Sequence, residues 1–395
     1  MGTSGGTSYT VTFETNGGSA VDPQTVADGE TAKKPEAPKK GDYKFGGWYS
    51  DSGLTTPFSF DTAITADITL YAKWTEKAVI QAGSISYATT SVSKTTAEAA
   101  FTNTLTKTGD GTVTYTSSDE AVATVHVSSG QVTIKGAGTA TITAKVEDSD
   151  TYTYATKTAS YTLTVTYIGS KAPSEAKALG DIVFTDGSAT PYSADLTLTA
   201  EQKAAAVAVI FYAGSASDKL GAKTLGVGLV QGSNLEWAKT GTTGCNTSIA
   251  TLLATKTSGS NAGNAVFSGT LANDGSESLT KLKEAVSDYS EADYPAWAWI
   301  EGYAATANLT GTSCESGWYI PSIGEVCVLW NATATVNNSI NKTSGTRIAT
   351  NKWYRSSNQA TTANNSQWYV GFGTGDLGEY DKNSTNDLFC AVRAF

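Results

Sequence analysis

Short runs in which apolar and polar residues alternate, broken every few positions by glycine or proline, constrain this chain more than any other feature. Tyr9-x-Val-x-Phe13, Ala140-x-Ile-x-Ala-x-Val146, Tyr161-x-Leu-x-Val-x-Tyr167 and Trp368-x-Val370-x-Phe372 all show a period of two. A strand points successive side chains to opposite faces, so these runs predict half-buried strands rather than helices. Asn16-Gly17-Gly18 supplies the positive φ that a tight turn demands. The 39 Gly, 19 Tyr and 9 Trp among 395 residues, with abundant Thr and Ser, extend that expectation to a mostly β chain. At this length one ordinary core does not suffice, and about two to four domains are expected.

Charge and rare residues exclude several functions. Lys+Arg number 27 against Asp+Glu 37, a formal net charge of −10, so the chain should repel nucleic-acid phosphates and no nucleic-acid partner is expected. His126 is the sole histidine, which removes His-based triads and multi-histidine metal sites. Its setting, Val122-Ala-Thr-Val-His-Val-Ser, predicts a solvent-facing strand residue. The cysteines, at 245, 314, 327 and 390, form no CxxC pair, and four cysteines admit three full pairings that sequence does not separate. Cys327 and Cys390 lie in apolar contexts that suit core thiols equally well. No apolar stretch approaches 18 residues, so no membrane span is expected. Residues 1–8 read as a flexible Gly/Ser/Thr tether. We expect an exported mature chain on the bacterial cell surface, whose lipoprotein-type leader is replaced by Met1 and whose native N-terminus carries a lipid anchor to the outer membrane.

Residues 9–76 form a first module. Its strand Tyr9-x-Val-x-Phe13, its prolines at 23, 35 and 38, Tyr43-Lys-Phe-Gly-Gly-Trp48-Tyr49 and the closing Ile68-Thr-Leu-Tyr-Ala-Lys-Trp74 resemble the Listeria–Bacteroides repeat, the B-repeat of internalins. The resemblance implies a β-grasp spacer or weak partner-binding unit. Trp48 and Trp74 are expected to pack in its core. Residues 80–167 alternate and break at glycines as an all-β sandwich does. Ser117-Ser118-Asp119-Glu120 within it reads as a solvated turn rather than a calcium loop. The run Ser117–Val146 resembles a bacterial immunoglobulin-like domain of the second group, which implies a stalk. Residues 168–179 read as a linker, and 180–395 as an α+β domain with its own core.

In that last domain, Thr199 with Gln202 predicts a capped helix over 200–208, and Pro295 with Trp297, Trp299, Ile300 and Tyr303 predicts another. Ser322 and Glu325 form a second capping box, with Ile323, Val326, Cys327 and Trp330 at helical spacing. Capping and packing account for Glu325 and Cys327 without catalysis, and no basic neighbour in sequence lowers the thiol pKa. An enzyme is not expected.

The final segment combines an apolar frame, Trp353, Trp368-x-Val370-x-Phe372 and Phe389–Phe395, with a filling of small hydrogen-bonding residues. Gly180-Asp-Ile-Val-Phe-x-Asp-Gly, Thr199-x-Glu-Gln-Lys-Ala-Ala-Ala-x-Ala-Val-Ile-Phe-Tyr, Gly317-Trp-Tyr-Ile-Pro-Ser, Tyr354-Arg-Ser-Ser-Asn-Gln and Cys390-Ala-Val-Arg-Ala-Phe395 together resemble the variable proteins of diversity-generating retroelements. That family has a C-type-lectin fold of the formylglycine-generating-enzyme type. The resemblance implies a diversifiable binding surface within about 351–395, for diverse protein or cell-surface ligands. The expected contacts are Tyr354, Arg355, Asn358, Asn364, Asn365, Gln367, Tyr369, Glu379, Tyr380, Asp381, Asn383 and Asn386. Tyr offers contact area at low entropy cost, and Ser and Asn adapt their hydrogen bonds. The calcium-dependent sugar signatures Glu-Pro-Asn, Gln-Pro-Asp and Trp-Asn-Asp are missing, so neither a metal nor any cofactor is expected. Two alternatives stand beside this: a multidomain adhesin or spacer that binds glycans, and an oxidase akin to the formylglycine-generating enzyme, which would need a reactive cysteine pair.

Overall fold

A computed structural model describes residues 6–81 and 84–395; residues 1–5 of the expected tether lie outside them. Two compact units emerge. One runs to Val165, and the other is Thr166–Phe395 together with Thr95–Ala97.

The first unit opens with a four-stranded sheet ordered Gln24–Ala27, Ser8–Glu14, Ile68–Glu76, Tyr43–Tyr49. Its central pair is parallel, with Val11 opposite Ile68, and its flanking pairs are antiparallel. No helix bridges the parallel pair among the described residues. Val11, Phe13, Trp48, Ile64, Leu70 and Ala72 are buried, which settles Trp48 as core, edge-on to Phe13 at 4.9 Å. Trp74 donates its indole N–H to Thr15 O at 2.8 Å, and a Cβ at position 18 would meet its ring at 2.5 Å. Gly18 is therefore fixed by that ring.

A sandwich follows. Val113–Ser117, Gly138–Val146, Thr158–Thr166 and Ser91–Thr95 make one sheet; Ala123–Val125, Gln131–Ile134 and Phe101–Thr102 make another. The alternating residues Ile142, Ala144, Tyr161, Leu163 and Val132 fill the space between. His126 is exposed as expected, but it sits just past its strand, where its Nδ1 accepts from the backbone amides of Ser128 and Ser129.

The second unit is built on one eight-stranded sheet. Its order is Ala189–Thr190, Ile182–Phe184, Ala206–Ala213, Thr224–Ser233, Leu388–Ala394, Trp353–Gln359, Ser366–Gly371, Leu377–Asp381. Leu388–Ala394, the last strand in sequence, lies in the middle, antiparallel to Thr224–Ser233 and parallel to Trp353–Gln359. Both faces of the centre are covered. The helix Ile323–Ile340 packs Ile323, Val326, Cys327 and Val336 with Val209, Tyr354, Trp368, Val370 and Phe372. On the opposite side Trp237, Tyr294, Trp297 and Tyr303 pack with Val207, Ile210, Phe389 and Ala391. Double coverage explains why Val207–Phe211 reads as an unbroken apolar run rather than an alternating one.

Both capping boxes form, at Thr199/Gln202 and Ser322/Glu325. The first helix is shorter than expected, Ala200–Ala205, because Ala206 already enters the strand. The expected linker 168–179 is not free. Ile168 is buried in the core of the second unit, Lys171 exchanges backbone hydrogen bonds with Ala189 at 2.8 and 3.0 Å, and its ammonium pairs with Asp181 at 2.6 Å. All four cysteines are buried free thiols. No helix of the described residues is long and apolar enough to cross a membrane.

Candidate ligand-binding face

Beyond its doubly covered centre, the sheet ends in Trp353–Gln359, Ser366–Gly371 and Leu377–Asp381. Pairing partners share a face, so the registers sort their side chains. Trp353 lies opposite Gly371, Arg355 opposite Tyr369, Tyr369 opposite Gly378, and Gln367 opposite Tyr380. Tyr354, Trp368 and Val370 point the other way, into the core.

On this outer face three aromatic rings gather at the surface. Trp353 is 47% exposed and Tyr380 42%, with Tyr369 half-buried between them. Ring centroids lie 5.4 Å apart for Trp353–Tyr369 and 6.5 Å for Trp353–Tyr380, at shallow interplanar angles of 36° and 39°. Glycines let the rings lie down. A Cβ at Gly378 would fall 2.2 Å from the Tyr369 hydroxyl, and one at Gly371 would fall 3.1 Å from the Trp353 ring. The result is a broad platform rather than upright side chains.

Beneath the platform sits a buried polar layer. The Arg355 Nε donates to Asp387 Oδ2 at 2.6 Å, its Nη2 lies 2.5 Å from the same oxygen, and its Nη1 donates to Asp381 O at 2.8 Å. Both side chains are almost wholly buried. The Gln367 amide lies against the guanidinium, and with its oxygen turned inward it would accept from Nη1 and, at 3.3 Å, from Nε. Tyr380 roofs the arrangement, its ring centroid 5.5 Å from the guanidinium carbon. Burial presses the Arg355 pKa down while Asp387 pulls it up, and a guanidinium stays charged throughout.

Four of the expected contact residues are therefore interior. Arg355 and Gln367 form this floor. Tyr354 faces the helix side, donating to Gln231 Oε1 at 2.5 Å and accepting from Ala349 N at 2.9 Å. Asn358 lies within the stretch between Arg355 and Gln359 where the pairing register shifts. It accepts from Ile323 N at 2.8 Å and donates to Leu252 O and Leu271 O, so it ties the helix start to two loops. Glu379 is half-buried and shares a face with Trp368, away from the platform; burial raises its pKa and Lys256 opposes the rise.

The remaining residues stand outside. Tyr369 and Tyr380 belong to the platform, while Asn364, Asn365, Asp381, Asn383 and Asn386 are exposed on the adjoining loops. Asn365 donates to Asp381 Oδ1 at 3.0 Å, next to Tyr380, and Asn383 donates to Thr240 Oγ1 at 2.7 Å. Under these loops lies Lys382, wholly buried. Its ammonium donates to Gly244 O at 2.7 Å and to Asn364 O, with Trp237 at 5.1 Å. Burial pushes its pKa down to about 7.

Sequence reasoning assigned Trp353 to the apolar frame; the structure puts it at the surface. The glycines opposite two of its three rings, Gly371 across from Trp353 and Gly378 across from Tyr369, are the pattern that could have revealed the platform. Among the described residues no group of three or more metal-ligating side chains occurs.

A family model described as the Listeria–Bacteroides repeat domain matches residues 9–73, and one described as an intimin immunoglobulin-like domain matches residues 102–148. Over 67 residues the chain is 45% and 43% identical to two Evansella cellulosilytica proteins, provisionally named a Gly-rich membrane protein and a membrane protein. That stretch covers 17% of this chain and 8% and 10% of theirs, so the chain spans about a tenth of the length of these relatives. Similar solved structures include a Bacteroides ovatus fimbrial protein, at 12% identity and TM-score 0.40 over 85% of this chain and 74% of that one. A C-terminal fragment of intimin in complex with the intimin-binding domain of its translocated receptor gives 23% identity and TM-score 0.14 over 34% of this chain and 55% of that one. The chain is thus a mostly β, multidomain protein whose first unit resembles surface-type repeat and immunoglobulin-like modules.

Proposed function

We propose that this is a surface-displayed, non-enzymatic binding protein, anchored in its native form through a lipid at the N-terminus. Its C-terminal domain, of C-type-lectin type, presents a diversifiable face to protein ligands. The observation that carries the reading is the platform of Trp353, Tyr369 and Tyr380 at the surface of a sheet whose supporting residues are all buried. Exposed aromatic clusters rimmed by polar residues suit protein recognition, and Trp and Tyr dominate binding hot spots. The exposed Asn and Asp residues around it meet the buried Lys382 and Arg355 through backbone carbonyls, at Asn364 and Asp381, so their side chains can change without disturbing the frame. The repeat and immunoglobulin-like modules serve as the spacer that holds this head away from the cell.

Absence of catalysis is part of the proposal. Burial raises the pKa of all four thiols, Cys327 to about 11 and Cys390 to about 12, which leaves no thiolate nucleophile near neutral pH. Glu325 accepts from Ser322 N, Gly275 N and the Tyr319 hydroxyl, so its oxygens are already used.

The test is a displayed library randomised at Trp353, Asn364, Asn365, Tyr369, Tyr380, Asp381, Asn383 and Asn386, selected against hen lysozyme and against fibronectin. The proposal expects folded members specific for each target. Folded libraries that yield no target-specific binder would refute it.

A further inference from the structure

A second recessed site lies on the helix side of the same domain, away from the aromatic platform, and it goes beyond the reading above. A cleft of about 570 Å³ opens between the latter half of the helix Ile323–Ile340 and the loops 347–350 and 372–373. Its size falls within the range typical of small-molecule pockets, about 300–1,000 Å³. Trp330, half-buried, gives it aromatic surface above a floor to which the buried Phe372 contributes, and Asn331, Asn338, Arg347 and Thr350 give it polar groups.

Two features distinguish it from a surface irregularity. The first is spare bonding capacity. Among the described residues, the Arg347 guanidinium, the Asn331 and Asn338 amides and the Trp330 indole N–H have no ion-pair or hydrogen-bond partner. The second is rigidity. Asn337 accepts from Ile348 N at 2.8 Å and donates to Ile348 O at 2.9 Å, Gln231 donates to Arg347 O at 2.8 Å, and the Tyr354 hydroxyl holds Ala349 N. The loop carrying Arg347 is thus pinned from both sides. Trp330 is held too, since a Cβ at Gly375 would come within 2.5 Å of its ring.

We infer that this cleft binds a carboxylated sugar. A planar guanidinium without an acidic partner matches a carboxylate bidentately. Primary amides both donate and accept, as paired sugar hydroxyls require. Aromatic surface accommodates the apolar C–H face of a pyranose ring. A neutral sugar would leave Arg347 unpaired, and a simple carboxylate would leave the amides and the Trp330 ring unused; a carboxylated sugar uses them all.

The experiment titrates the full chain with methyl β-D-glucuronide, methyl β-D-glucoside and sodium acetate, followed by saturation-transfer NMR. The glucuronide should bind about tenfold or more tightly than either control. Arg347→Gln should abolish its advantage over the glucoside, while Asn338→Ala should weaken both sugars alike. Both positions are exposed, and an unchanged melting temperature confirms folding. Trp353→Ser/Tyr380→Ser should leave sugar binding untouched, which separates this site from the proposed protein-binding face. The inference is overturned if no sugar binds, if glucoside or acetate matches the glucuronide, or if the preference survives Arg347→Gln.

Discussion

Arg355, Asp387 and Lys382 show why polar residues in a hydrophilic segment need not be exposed. Arg355 and Asp387 form a buried pair, and removing one partner leaves an uncompensated charge in a low-dielectric setting. Arg355→Met should therefore cost about 3–5 kcal/mol in equilibrium denaturation, whereas Arg355→Met/Asp387→Leu should recover most of that loss. Equal losses in the single and double variants would show that the pair is not coupled. Lys382 makes a separate pH prediction. Its pKa falls from the ordinary 10.5 to about 7 on folding, through burial. Below pH 7 both states hold the proton and the full burial penalty applies. Between about 7 and 10.5 the unfolded chain keeps a proton that the folded chain has released, so stability should rise with pH in that window. Urea midpoints should show this rise in the parent and lose it in Lys382→Met; an identical rise in both would contradict it. None of these three roles was legible in sequence. Strand alternation puts Arg355 and Gln367 on the outer face, correctly, but their burial comes from Tyr380 and Asp387, which long-range folding brings over them.

Among the elements, those governed by local rules were the most legible. Ser322 with Glu325 marked the true start of the helix Ile323–Ile340, and Trp368-x-Val370-x-Phe372 marked a strand with its correct buried face. Asn358 shares the core-facing parity of Tyr354, four residues before it, and it escaped because a polar amide within a hydrophilic segment reads as exposed until the helix start at Ile323 is packed against it. Trp353 escaped because a large aromatic beside a strand defaults to core, and only its pairing with Gly371 places it outside. Residues 168–179 have linker composition, yet Ile168 and the Lys171–Ala189 bridge attach them to the second unit. A fragment 166–395 should accordingly melt at a higher temperature than a fragment 180–395, by several degrees for each kcal/mol of docking energy lost. Equal melting temperatures would mean that the segment contributes nothing.

For the whole molecule, periodicity and glycine punctuation were sufficient for a multidomain, mostly β chain, whereas the repeat and immunoglobulin-like modules were legible only through their resemblance to known families. What composition could not supply was the placement of Leu388–Ala394 in the middle of the last sheet, which depends on a pairing with Thr224–Ser233 far away in sequence. That insertion makes the chain's final residues part of the scaffold, while the segment just before them carries the exposed face. The central claim is this division of labour, and a deep mutational scan of residues 351–395 measures it directly, using protease resistance on displayed full-length chains. The account predicts broad tolerance at Trp353, Asn364, Asn365, Tyr369, Asp381, Asn383 and Asn386, and intolerance at Tyr354, Arg355, Asn358, Gln367, Lys382 and Asp387, with Tyr380, which roofs Arg355, between the two sets. Equal sensitivity in the two sets would contradict it.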